Sequence, residues 1–232
     1  MPLTRVTITG ADDEVLHGDL VALWNMYPFV EWGILFSESR TGTPRYPSKD
    51  WVEMLCALAR VSGMRLSAHF CGSLSRKLLA GAEEPLMAIP ARFARAQVNG
   101  FEKENLAFMS LLRDCPGVEW ILQAGTRETL ASACFVAGSV PGVSVLWDAS
   151  GGRGVPIDQS QMVVDWVQRR SFPMGYAGGI SPENVEDVLR MLAPIQADYW
   201  IDMESGVRTN DRFTGWKALK VLELAKPYVE AR

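Results

Sequence analysis

Short runs rich in β-branched and aromatic residues punctuate this chain, separated by stretches whose apolar positions recur every three to four residues. The strand-like runs are Arg5–Thr9, Val30–Phe36, Met64–Cys71, Ala94–Val98, Glu119–Ala124, Val143–Asp148, Met174–Ala177 and Tyr199–Met203. Helical spacing shows in Leu16/Leu20/Leu23, Trp51/Leu55/Leu58, Leu106/Met109/Leu112 and Val185/Leu189/Leu192. It shows again in a last stretch from Lys217 to Tyr228 carrying Leu219, Val221, Leu222, Leu224 and Ala225. Strands that alternate with helices predict a parallel sheet, because each crossover must run over a face of that sheet. Eight such units in 232 residues fit a closed (β/α)8 barrel, which typically occupies about 200–250 residues. The expectation is an α/β chain of the TIM-barrel class, with eight parallel strands and outer helices, as a single domain over residues 1–232. The stretch Gly81–Phe93, broken by Glu83, Glu84, Pro85 and Pro90, reads as the connection from the third helix to the fourth strand.

Composition narrows the function classes. Hydrophobic residues make up 48% and charged residues 22%, enough to fill a substantial core. A net charge of −4, with no cluster of Lys and Arg, argues against nucleic acid as a partner. Cys56, Cys71, Cys115 and Cys134 are scattered, form no CxxC pair, and suit a reducing compartment. The start Met1-Pro2-Leu3-Thr4-Arg5 lacks a secretory apolar region, and no apolar run reaches the roughly 18–20 residues that span a bilayer. A cytoplasmic protein without a membrane partner is expected, acting as a monomer or homodimer. Two histidines with no HExxH-type spacing make a zinc hydrolase a poor reading. Neither metal nor cofactor is expected.

The most informative residues lie near the C-terminus. Ala177-Gly178-Gly179-Ile180-Ser181-Pro182-Glu183-Asn184-Val185 is followed about twenty residues later by Asp202-Met203-Glu204-Ser205-Gly206-Val207. Glycine pairs let backbone N–H groups approach a ligand closely. Ser181 as N-cap and Pro182 at the first helical position predict a helix opening at once, a ready anion site. The last two loops of a (β/α)8 barrel often hold phosphate, so Gly178, Gly179, Ser205 and Gly206 are candidate phosphate-binding residues. The plain alternative is two ordinary glycine-rich turns. Catalytic groups belong at the C-terminal strand ends: Thr9, the Thr41–Pro47 loop with Arg45, His69 and Cys71, Asn99, and Asp148 before Gly151-Gly152-Arg153-Gly154. Asp148 leaves an apolar strand, where desolvation favours a general acid; a capping or salt-bridged aspartate is the alternative. Arg45 could clamp a carboxylate with its planar fork or simply be solvated. His17 belongs to the outer face of the first helix, and a lone strand histidine such as His69 is more often packed than catalytic.

At these residues the chain resembles the phosphoribosylanthranilate isomerase family of tryptophan biosynthesis, over nearly its whole length. Residues 177–185 are similar to that family's phosphate-loop motif, and Asp202–Val207 to its last-strand motif Asp-Val-Ser-Ser-Gly-Val. Pro44-Arg45-Tyr46, Gln97-Val98-Asn99-Gly100 (against Gln-Leu-His-Gly) and Asp148 with its trailing glycines support it. The resemblance implies an Amadori rearrangement of a phosphorylated aminoaldose. In that reaction Asp148 is the general acid that opens the furanose ring, Arg45 faces the anthranilate carboxylate, Asn99 contacts substrate, and the C-terminal glycine loops hold the phosphate. It also implies a cysteine base at the end of the first strand, in Lys-Ile-Cys-Gly. Here that stretch reads Thr7-Ile8-Thr9-Gly10. Thr9 occupies the base position, yet an alcohol is far less acidic than a thiol of pKa about 8.5 and needs an activating base of its own. Cys71, His69 and Asp12 are the candidate replacements. Glu204, standing where the family has serine, is expected to repel a phosphate unless its side chain turns away. Two readings follow: a diverged isomerase acting on a phosphorylated small molecule, or a phosphosugar-binding barrel without turnover that serves as sensor or partner subunit.

Overall fold

The computed structural model describes residues 3–81, 88–102, 112, 114–148, 172–195 and 197–230. Eight parallel strands close into a barrel: β1 (Leu3–Thr9), β2 (Val30–Phe36), β3 (Leu66–Phe70), β4 (Arg95–Val98), β5 (Glu119–Ala124), β6 (Val143–Trp147), β7 (Met174–Ala177) and β8 (Tyr199–Met203). Closure is made by β1 against β8, with Val6 opposite Ile201 and Ile8 opposite Met203. All eight expected strands are present, with ends that move by one or two residues. Outside them lie α1 (His17–Met26), α2 (Lys49–Ser62), α3 (Gly72–Leu79), α4 (Arg127–Ser139), α5 (Val185–Leu192) and α6 (Gly215–Glu230).

Local chemistry explains most of these boundaries. Helix α2 begins where the Ser48 hydroxyl accepts the Trp51 N–H and ends at Gly63, which takes the left-handed conformation (φ 72°) that only glycine adopts at low cost. Helix α4 opens on a reciprocal pair, Thr126 and Thr129, each side chain satisfying the other's backbone N–H. Helix α3 buries Leu74 and Leu78 at helical spacing, and α4 buries Leu130, Ala133 and Ala137. Of the Leu106/Met109/Leu112 pattern, Leu106 and Met109 lie outside the described residues, as do positions 82–87 of the irregular third connection and the glycines at 151–154; Pro90–Arg92 form a 3-10 turn leading into β4.

One expectation is corrected. The Ser181 hydroxyl accepts the Glu183 N–H at 3.3 Å as a cap would, but the helix does not open there; α5 starts at Val185 with Asn184 at its N-cap. Asn184 is the reason. Its Oδ1 accepts the Ser181 N–H at 2.9 Å and its Nδ2 donates to the Gly179 carbonyl at 2.9 Å, closing residues 181–184 into a separate turn.

The apolar core is mainly an annulus between the sheet and the helices, built from residues such as Ile8, Ile34, Leu122 and Val145 against Leu20, Leu55 and Leu189. A second, small apolar cluster is Ile121, Leu146, Ala177 and Trp200. The Trp200 indole takes the space that a side chain at Gly175 would fill, since an added Cβ there would lie 2.2 Å from the ring. Near the N-terminal ends of the strands the buried contacts are ionic. Arg95, 2% exposed, reaches Glu31 at 2.8 Å and Glu119 at 3.1 Å, and stacks its guanidinium 4.1 Å from the Trp200 ring centre. Arg5 Nη1 lies 3.4 Å from Glu31, and the Thr7 hydroxyl donates to Glu31 at 2.9 Å. Burial alone would raise the Glu31 pKa, but Arg95, Arg5 and Thr7 outweigh it and hold the carboxyl below its usual range. Removing one member of a buried pair leaves its partner uncompensated. Arg95→Met should therefore lower stability by about 3–5 kcal/mol, read as a fall in the urea midpoint; a change below about 1 kcal/mol would mean that Arg5 alone suffices for Glu31.

Candidate active site

The C-terminal strand ends open into a cavity of about 500 Å³, whose lining includes Thr9, Arg45, Asn99, Asp148, Gly178, Gly179 and Ser205. Asp148 follows β6 directly. Its N–H donates to the Ala124 carbonyl at 2.9 Å, Gln123 Nε2 donates to its Oδ2 at 2.8 Å, and it is 4% exposed. Two strands further round the ring, the Thr9 hydroxyl donates to Asp202 Oδ1 on β8 at 3.2 Å, and both residues are buried. His69 Nε2, buried and without a hydrogen-bond partner among the described residues, lies 4.0 Å from Asp202 Oδ2. Between them, Gln97 donates to Asn99 Oδ1 at 2.9 Å, and Asn99 Nδ2 points to Cys71 Sγ at 3.5 Å.

The two glycine loops form one wall. Gly178 (φ 126°) and Gly179 (φ 58°) both take conformations that side chains disfavour, and Ser205–Val207 follow as a single 3-10 turn. Gly206 is a packing requirement: a Cβ there would sit 1.9 Å from the Ile180 carbonyl oxygen. The β7 and β8 loops are in direct contact through it, while Gly206 itself is not part of the cavity lining.

Beyond Val207 the chain makes a hairpin, β9 (Arg208–Thr209) and β10 (Arg212–Phe213). Asn210 and Asp211 at its tip have φ of 51° and 60°, the paired left-handed residues of a two-residue turn. The hairpin organises the rim. Arg208, 5% exposed, donates to Asp12 Oδ2 at 3.1 Å and to the Gly10 carbonyl. Asp12 in turn accepts the Arg45 N–H at 2.8 Å, fixing a non-glycine residue at φ 77°. The Arg45 guanidinium donates to Glu204 Oε1 at 2.7 Å and to Asp211 Oδ1 at 2.6 Å.

The family model for N-(5'-phosphoribosyl)anthranilate (PRA) isomerase matches residues 96–221, more than half of the chain. The chain belongs to this family. Solved structures agree on the fold. Phosphoribosyl anthranilate isomerase from Thermotoga maritima superposes with a TM-score of 0.67 at 18% identity, covering 97% of this chain and 100% of that one. The N-(5'-phosphoribosyl)anthranilate isomerase from Pyrococcus furiosus gives 0.59 at 18%, covering 97% and 99%. A 3-hexulose-6-phosphate synthase from Salmonella typhimurium gives 0.57 at 12%, also covering 97% and 99%. No curated protein matches the sequence.

Against the family pattern, Thr9, Arg45, Asn99, Asp148, Gly178, Gly179 and Ser205 converge on one cavity. The expected repulsion from Glu204 is altered by its neighbour: the side chain turns to Arg45, whose cation offsets the charge. For the same reason Arg45 already holds two carboxylates. Asp12 is committed to Arg208 and the Arg45 N–H and does not line the cavity. Sequence reasoning missed several lining side chains, among them Gln123, Tyr46 and Asp202. Gln123 is the last residue but one of its strand with nothing local to mark it, and Tyr46 and Asp202 line the cavity although they stood only inside quoted motifs. Asp202 had a usable signal, a carboxylate inside an apolar strand.

Burial dominates the electrostatics. It pushes the Asp202 carboxyl well above its ordinary range, helped by Glu31, Asp148 and Glu204 and opposed by the Thr9 hydrogen bond. Burial, with Glu204 beside it, takes the Cys71 thiol up to about 12. It brings His69 down to about 4, so that histidine is neutral. The His69 shift carries a stability consequence. A histidine whose folded pKa is depressed contributes no penalty above its ordinary pKa of 6.5 and destabilises as pH falls from there toward 4. His69→Gln should remove about 3 kcal/mol of the stability lost between those pH values. Urea titrations of both proteins at pH 7 and pH 4.5 measure it; parallel declines would show that the imidazole is not held neutral.

Proposed function

We propose that this barrel is an aldose–ketose isomerase of the phosphoribosylanthranilate type, acting on a phosphorylated aminosugar by Amadori rearrangement in the tryptophan pathway. The observation that carries the reading is the single cavity shared by Asp148 and both glycine loops. A phosphate seated on the backbone N–H groups of Gly178, Gly179 and Ser205 would leave its sugar over the strand ends. Asp148, oriented by Gln123, is the group to protonate the ring oxygen as the C1–O bond breaks, with the nitrogen lone pair forming the C1=N bond. Asn99 and Tyr46 supply polar contacts beside the sugar. The aromatic carboxylate would compete with Glu204 and Asp211 for Arg45.

A second reading, a phosphosugar-binding barrel without turnover, is favoured by one observation: Thr9 stands at the first-strand end, and its hydroxyl is already donated to Asp202. Loss of phosphoribosylanthranilate fluorescence separates the two. Wild type should turn over and Asp148→Asn should lose 10²–10⁴-fold, the usual worth of a positioned acid; phosphosugar binding without any turnover would favour the sensor. Gly206→Ala tests the cradle independently. Its added methyl forces the β7 and β8 loops apart, so affinity for inorganic phosphate by calorimetry should fall at least ~10-fold while the far-ultraviolet dichroism is retained. Unchanged affinity would remove the phosphate from these loops.

A further inference from the structure

We infer that Asp202, held by the Thr9 hydroxyl, is the general base of this barrel, taking the proton from C2 of the sugar that Thr9 by itself cannot take. The inference rests on the isomerase reading above and adds the group that reading lacks. Three observations carry it. Asp202 is the last residue but one of β8, buried, and part of the cavity lining. Its Oδ1 accepts the Thr9 hydroxyl at 3.2 Å, which turns the residue at the first-strand end into an orienting donor. Its Oδ2 lies 4.0 Å from His69 Nε2, beyond hydrogen-bonding reach, so among the described residues one carboxylate oxygen is anchored and the other is left for substrate.

The alternatives are excluded by their own surroundings. The Cys71 thiol, raised to about 12, yields almost no thiolate at neutral pH. His69, lowered to about 4, is a weak base. Asp12 is bound to Arg208 away from the cavity lining, and Glu204 is paired with Arg45. The charged and titratable groups around Asp202 are Glu31 on β2, His69 on β3, Asp148 after β6 and Glu204 after β8. The carboxylates and burial together raise its proton affinity, and a base of higher proton affinity is a better acceptor from carbon.

In the step itself, ring opening has produced a protonated C1=N imine. Asp202 takes the C2 proton, the C2–H electron pair becomes the C1=C2 bond, and the C1=N π electrons pass to nitrogen, giving a neutral enolamine and protonated Asp202. Return of a proton to C1, with loss of the C2 hydroxyl proton, completes the ketose, so nothing is oxidised or reduced overall. Thr9 is a positioning residue in this scheme, because it touches the base and not the migrating proton.

The test uses the full chain with phosphoribosylanthranilate and its aminoketose product. Asp202→Asn should lose at least ~100-fold in kcat while the product binds as before, which also shows that the variant folds. Wild-type kcat should rise with pH through a limb above the ordinary carboxylate range, and that limb should be absent in Asp202→Asn. Thr9→Val removes a hydrogen bond that favours the ionised form, so the limb should move to higher pH, and Thr9→Ser should restore it. Wild-type turnover with Asp202→Asn within tenfold of it, or a limb that falls with pH where a rise is expected, overturns the base assignment and leaves the isomerase reading standing. A wild type that binds product yet neither consumes substrate nor exchanges deuterium from solvent into the product overturns both.

Discussion

Everything at the mouth of this barrel depends on how its interior disposes of buried charge. Arg95, Glu31, Arg5 and Glu119 lie near the strands' N-terminal ends, where a layered aliphatic filling is usual for the fold, and they are stable there only as a set. Trp200 and the small cluster around it interleave with that set, since the Arg95 guanidinium stacks on the indole while Leu146 and Ala177 also line the cavity. Glu31 also contributes to the field at Asp202 and at His69. The ionic layer therefore ties the strands together and adds a smaller contribution to the proton affinity of groups at the mouth, where burial dominates.

A second network works at the rim. The hairpin after β8 folds back so that Arg208 ties Asp12 and the Gly10 carbonyl together, while Asp211 and Glu204 fix Arg45 from two sides. The constraint is geometric as much as electrostatic, because Arg45 is held at a backbone conformation that a non-glycine residue rarely keeps without support. The partly exposed pairs contribute little stability singly. Their effect is to bring the loops after β1, β2 and β8 to one side of the cavity and to neutralise Glu204 beside the glycine cradle.

The chemistry reflects the same balance. A barrel mouth dry enough to raise the Asp202 carboxyl also suppresses the Cys71 thiolate and keeps His69 neutral. Desolvation thus strengthens one candidate base and removes two others. Hydrogen bonds then select among the carboxylates: Thr9 orients Asp202, Gln123 orients Asp148, and Arg45 takes Glu204 out of contention.

Strand order, barrel class and the glycine loops at the mouth were legible in the sequence because they depend on near neighbours: period-two and period-3.6 patterns, and glycines adjacent in the chain. So was Asp148, since the end of an apolar strand marks itself. The N-terminus of α5 was not, because Asn184 bonds back to Ser181 and Gly179 and delays the helix, a competition that capping preferences do not resolve. The site's working contacts were beyond reach for a different reason. Thr9 and Asp202 are 193 residues apart, and Arg45 and Asp211 166. Only closure of β1 on β8, with Thr7 opposite Asp202 and Ile8 opposite Met203, brings such pairs together. A threonine in place of a cysteine reads locally as a lost base. Across the closed barrel it becomes the hydrogen-bond donor to a buried carboxylate, and tertiary pairing decides which of those it is.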